Sequence, residues 1–127
     1  MSERFLLDTH ILLWAFNDDR RLPRKIRDIL SDPEQVIFVS AASIWEISIK
    51  KSIGKLELPE DFFITFTDLR FQQLDVAFPH AKAVRSLPDI HKDPFDRMLI
   101  AQAIVEKMTL ITIDKDMLCY DVAVLKI

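Results

Sequence analysis

No stretch of the chain dictates its local structure as firmly as His91-Lys92-Asp93-Pro94-Phe95-Asp96-Arg97-Met98-Leu99-Ile100-Ala101-Gln102-Ala103. Asp93 is suited to cap a helix, Pro94 to take its first position, and Asp96 to follow three residues after the cap. From Met98 to Val105 only Gln102 interrupts the apolar residues, which predicts a helix buried over most of its circumference. Asp93 and Asp96 share one side of the first turn, where the helix dipole tolerates negative charge. Taken alone, the stretch reads as a capped core helix without chemistry. Acids in matching places elsewhere change that reading.

Phe5-Leu6-Leu7 reads as a short buried strand, followed at once by Asp8-Thr9 and an apolar helix over Ile11–Phe16. Asn17–Arg21 is a polar turn. Pro23–Leu30 is a basic amphipathic helix, with Ile26, Ile29 and Leu30 inward and Arg24, Lys25 and Arg27 outward, a solvated face or an RNA-contacting one. Val36–Val39 is a second strand. Ser40–Lys50 is the next helix, largely covered by Ile44, Trp45, Ile47, Ile49 and Ile53, and Gly54 closes it as a left-handed cap. Phe62, Phe66 and Leu69 repeat at helical spacing as core or interface. Gln73–Val76 is a short third strand, and His80–Leu87 a helix ended by Pro88. Thr109–Ile113, rich in β-branched residues, and Val122–Leu125 complete the strands. Strands alternating with helices predict an α/β protein whose parallel sheet is covered on both faces.

With 127 residues, half of them hydrophobic, the chain is expected to form one domain over 1–127. No apolar run approaches the roughly 18 residues of a membrane helix, and Arg4–Asp8 leaves no room for a signal-peptide core. The single cysteine, Cys119, is expected as a packed thiol in a cytoplasmic protein. A net charge of −3 argues against gripping nucleic acid by bulk electrostatics, though a local basic rim stays open. One glycine leaves no loop to cradle phosphates, so dinucleotide and P-loop readings fail.

The acids carry the chemistry. Asp8 follows one strand, Glu46 lies on the helix after the second, Asp96 begins a helix, and Asp114 follows a later strand. In a parallel sheet those strand ends share one edge, so the four carboxylates converge. Ser43, Glu46 and Lys50 form a polar stripe on their helix. Glu46 with Lys50 is an i,i+4 pair worth roughly 0.3–0.5 kcal/mol if exposed. A carboxylate held between a tryptophan and isoleucines is better explained by a compensating charge, such as a metal. Oxygen donors without His or Cys favour Mg²⁺ or Mn²⁺ over zinc. Such a cage suits phosphodiester hydrolysis by an activated water, with one ion or two roughly 3.5–4 Å apart. His80 and His91 are isolated and read as hydrogen-bonding or packing residues.

Leu7-Asp8-Thr9-His10, Ser43-Ile44-Trp45-Glu46-Ile47 with Lys50, Asp93–Ala103 and Leu110-Ile111-Thr112-Ile113-Asp114 run in one order across nearly the whole chain. In that combination the sequence resembles the PIN-domain family, specifically the VapC-like toxins of type II toxin–antitoxin systems. Gly54-Lys55-Leu56 and His80-Ala81 follow the same pattern. The resemblance implies a PIN fold, an α/β/α sandwich around a parallel sheet of about five strands, with Mg²⁺- or Mn²⁺-dependent endoribonuclease activity. It implies that Asp8 and Asp96 are the main direct ligands, with Glu46 and Asp114 completing the cage directly or through waters. Thr112, and with less force Thr9, would align a carboxylate or water. Lys50 and Arg97 would partner phosphate or carboxylate. Asp93 and Asp116 are spare acids, read as a helix cap and the start of a C-terminal turn, or as groups supporting the ligands. The resemblance also implies an RNA substrate, a cognate antitoxin and a homodimer, with helix Ile11–Phe16 and the Phe62/Phe63/Phe66 region as contact surfaces. Two alternatives stand beside it: a degenerate PIN domain that binds RNA or antitoxin without cutting, and a phospho-receiver-like module. The receiver lacks its expected paired acids after the first strand.

Overall fold

A computed structural model of the chain describes residues 3–67 and 70–125. In chain order its elements are β1 (Arg4–Leu7), α1 (Thr9–Phe16), α2 (Arg24–Ser31), β2 (Val36–Ser40), α3 (Ala41–Ser52), α4 (Phe62–Thr67), β3 (Gln72–Leu74), α5 (Phe78–Val84), α6 (Pro94–Glu106), β4 (Thr109–Ile111) and α7 (Lys115–Leu118). The alternation of β1 decides the layering. Phe5 and Leu7 join a core with Ile11, Leu12, Ile26, Ile47 and Phe62, from α1 to α4. Leu6 points the other way, into a core with Leu99, Ile100, Met117 and Tyr120 from α6 and the C-terminal region. The sheet is therefore covered on both faces, the expected α/β/α sandwich.

The strands run parallel in the order β3-β2-β1-β4. Among the described residues the sheet has four strands where about five were expected. Val122–Leu125 pairs only through one bridge, Val124 to Leu110, with Leu110 N–H donating to Ala123 O and Leu125 N–H to Leu110 O. β4 is itself cut short because Thr112 leaves the ladder and turns its hydroxyl to Asp8 and to the N–H of Asp114.

Helix boundaries follow the capping residues. Ser40 Oγ accepts from Ala42 N–H at the start of α3, and Asp93 accepts from Phe95 and Asp96 N–H at the start of α6. α3 does not bury all its apolar residues: Trp45 and Ile53 are 63% and 58% exposed. α6 shows the reverse exchange. Ile104 and Val105 are exposed while Gln102, the one polar interruption, is fully buried. Its side chain accepts from Ser40 Oγ at 2.6 Å and donates to Asp75 O at 3.2 Å. Beside it His80 accepts from Ala77 N–H on Nδ1 and donates from Nε2 to Glu106 at 2.7 Å, which fastens α5 to α6. Cys119 is exposed rather than packed. The side chain of Phe66, and Leu69, lie outside the described residues. Among the described residues no helix is long and apolar enough to cross a membrane.

Gly54 has φ +75° and donates to Lys51 O, ending α3 as expected. A Cβ there would touch nothing within 4 Å, so a substitution acts through the backbone alone. Gly54→Ala is expected to cost about 1 kcal/mol through the left-handed conformation, read as a lower urea midpoint at unchanged slope. An unchanged midpoint would contradict this account of the helix end.

Candidate active site

The chain leaves β1 towards β2 on one side and returns last to β4 on the other. A crevice opens where a parallel sheet reverses its winding in this way, beyond the carboxyl ends of the strands. Asp8 stands there. Its N–H donates to Ile111 O at 3.0 Å, so the residue is locked to both strands. Oδ1 accepts from His10 N–H, capping α1, and Oδ2 accepts from Thr112 Oγ at 2.7 Å. The carboxyl is buried, and burial pushes its pKa up, with a smaller push from Asp114; the Thr112 hydrogen bond and His10 act in the opposite direction.

The other acids arrive on helix starts or inner helix faces. Asp96 lies in the first turn of α6, with Oδ2 3.4 Å from His91 Nε2. Asp114 caps α7 through Oδ1, which accepts from Asp116 N–H at 2.8 Å. Glu46 is buried on α3, accepting from Lys50 Nζ at 2.7 Å on Oε2, while Oε1 is buried without a hydrogen-bond partner. The clearest sign that these acids meet is electrostatic. Burial, then Asp93, Asp8, Glu46 and Asp114, push the Asp96 carboxyl up to about 7. Carboxylates from distant parts of the chain thus all act on Asp96.

The remaining expected residues divide. Thr112 aligns Asp8 directly, whereas Thr9 is buried and donates to Ser43 Oγ at 3.0 Å, tying α1 to α3. Lys50 faces the acids: its hydrogen bond to Glu46, with Asp93 and Asp96 nearby, raises its pKa. Asp93 serves as the α6 cap. Asp116 is exposed in the first turn of α7. Arg97 is turned to other use. Its guanidinium donates to the carbonyls of Val84, Pro88 and His91 and to the Tyr120 hydroxyl, pinning the end of α5 and the following loop to α6. Sequence reasoning gave no role to Tyr120, whose hydroxyl lies 2.7 Å from His91 Nδ1. That hydroxyl accepts from Arg97 and from His91 N–H, so it donates to Nδ1; Nε2 lies 3.4 Å from Asp96 Oδ2 but is buried without a hydrogen-bond partner. An isolated Tyr in a C-terminal turn carries no local signal of such a contact.

Among the described residues no group of three or more His, Cys, Asp or Glu side chains is gathered to hold a metal ion. The acids have local partners instead: Asp8 accepts from Thr112 and His10, Glu46 from Lys50, and Asp93 and Asp114 cap helices. The donor set still fits a hard cation. All donors are carboxylate oxygens, Glu46 Oε1 is orphaned in a buried position, and Asp96 carries a repulsion that a cation would relieve.

The family model described as "PIN domain" matches residues 5–123. A search of curated proteins found no match. Among solved structures the fold is similar to VapBC2 from Rickettsia felis bound to a promoter DNA fragment (TM-score 0.72, 16% identity, covering 96% of this chain and 97% of that one). It is also similar to a toxin–antitoxin complex from Klebsiella pneumoniae (0.64, 19%, 95% of each chain). FitAcB from Neisseria gonorrhoeae follows at 0.62, with 22% identity over 96% of each chain. At these identities the likeness is one of fold.

The repulsion at Asp96 has a sign in pH. Its folded value of about 7 stands above the ordinary aspartate value of about 3.9, so the folded chain binds the proton more tightly. Stability present below about pH 4 is therefore lost as the pH climbs towards 7, and Asp8 acts in the same direction. Without metal, Asp96→Asn should flatten this slope and raise Tm at neutral pH by about 3–6 °C. Thermal unfolding of both proteins across that range checks it; equal slopes would contradict it.

Proposed function

Since the chain belongs to the PIN-domain family, we propose that it is a divalent-metal-dependent endoribonuclease, the toxin of a VapC-like toxin–antitoxin pair. The observation that carries this reading is the placement of Asp8 between the carboxyl ends of β1 and β4, buried and held by Ile111 and Thr112, with Asp8, Glu46 and Asp114 all raising the pKa of Asp96. In this reading the four acids hold the cation, with Asp8 and Asp96 the main ligands. Mg²⁺ or Mn²⁺, when bound, supplies the Lewis acidity for attack of water on phosphorus. Thr112 fixes the orientation of Asp8 through its hydroxyl. His91, held by Tyr120, limits how Asp96 can turn. Asp93 orders the first turn of α6 so that Asp96 points into the crevice. RNA would reach these acids from beyond the carboxyl ends of the strands.

The partner is proposed to be a cognate antitoxin, supported by the toxin–antitoxin assemblies among the structural neighbours, and the chain itself to act as a cytoplasmic homodimer. Exposed apolar residues supply candidate contacts: Ile53, Phe78 and Trp45, the last at a groove of about 530 Å³ also lined by Val84, Phe95 and Met98. Phe62 is fully buried and is no contact residue, whereas Phe63 and Ile64 face outward. Family membership sets the receiver-like alternative aside. The lack of a ready-made metal group among the described residues favours one second reading, a PIN domain that binds RNA or antitoxin without cutting.

Cleavage of a structured RNA by the antitoxin-free protein separates the two. Activity is expected with Mg²⁺ or Mn²⁺ and none with chelator. Asp8→Asn and Asp96→Asn are each expected to lower the rate by at least about a hundredfold. Full activity in both variants would overturn the site. RNA binding without cleavage in either metal would establish the non-cutting reading.

A further inference from the structure

Lys50 reaches back one turn along α3 to donate to Glu46 Oε2 at 2.7 Å. The pair is asymmetric. Only 5% of the Glu46 side chain is exposed and its Oε1 is unpartnered, while 42% of the Lys50 side chain reaches solvent. On an open helix surface such a pair is a small stabilising contact. Here the ammonium also faces Asp93 and Asp96, so it sets a positive charge against acids that repel one another. A lysine ammonium is strongly hydrated and rides on a flexible stem, so it can leave Glu46 for water. Glu46, almost wholly buried, stays where it is.

We propose that Lys50 is a built-in counter-ion: it partners Glu46 in the metal-free chain and is displaced when a divalent cation enters the acidic crevice. This rests on the metal-site reading given above and concerns its regulation. A cation and an ammonium that share Glu46 repel each other, so each weakens the hold of the other, and the coupling is reciprocal. The site then fills only when the cation is abundant enough to dislodge the lysine. Until then the chain keeps its acids partly neutralised.

Calorimetric titration with Mn²⁺ tests this in the wild type, Lys50→Met and Lys50→Arg, each shown to be folded by circular dichroism. Lys50→Met is expected to bind Mn²⁺ roughly tenfold more tightly, and Lys50→Arg no more tightly than wild type. Without metal Lys50→Met should melt earlier than wild type, and Mn²⁺ should restore it. A second measurement needs no variant: Mg²⁺ should speed acetylation of Lys50 in the wild type and leave exposed Lys55 unchanged. Equal Mn²⁺ affinity in Lys50→Met and wild type, or Lys50 acetylation indifferent to Mg²⁺, overturns the counter-ion while the metal site stands. No Mn²⁺ binding by the wild type overturns the metal site itself, and the counter-ion with it.

Discussion

Carboxylates forced together in a partly buried crevice destabilise a fold unless something offsets their charge. This chain accepts that penalty at one place. Asp8 is locked between β1 and β4 by a backbone hydrogen bond to Ile111 and a hydroxyl hydrogen bond from Thr112, so it cannot retreat. Asp96 is carried in by the first turn of α6, and Asp114 by the turn out of β4. Each is anchored by ordinary secondary-structure chemistry. The repulsion is therefore a consequence of how the sheet ends, and the rest of the molecule is arranged to withstand it.

That arrangement is visible in the buried polar contacts. Ser40 starts the helix that carries Glu46, and Gln102 sits on the helix that carries Asp96; their 2.6 Å hydrogen bond fixes α3 against α6. His80 and Glu106 then fasten α5 to the same helix, and Arg97 holds the α5–α6 connection through three carbonyls and the Tyr120 hydroxyl. Buried polar groups of this kind add little net stability, but leaving one unpaired is expensive, so they specify a single relative placement. Apolar packing on both faces of β1 supplies the bulk of the driving force.

What could be read in the sequence was whatever depends on near neighbours. The Asp93-Pro94 start of α6, the Gly54 end of α3 and the strands at β1 and β2 follow from capping and hydrophobic pattern, and they appear where expected. The expectation that the acids share one side of the molecule came from the single carboxyl edge of a parallel sheet, and Asp8 and Asp114 do follow β1 and β4. Contacts between distant elements were not. Arg97 looked free for phosphate because its carbonyl partners lie in a loop with no pattern. Gln102 looked like an interruption of an apolar helix, since Ser40 lies 62 residues away. Trp45 was expected to enclose Glu46 together with isoleucines, but its side chain faces solvent. Among the described residues the expected fifth strand is a single bridge, Val124 to Leu110.

The proposal stands on one spatial claim, that a hard cation is held by acids drawn from both ends of the chain. Crystals grown with Mn²⁺ would address it directly through anomalous scattering. The account predicts a peak in the crevice between β1 and β4, bounded by Asp8, Glu46, Asp96 and Asp114. Saturating Mn²⁺ that leaves this crevice without a peak, or places the ion at other side chains, would contradict it.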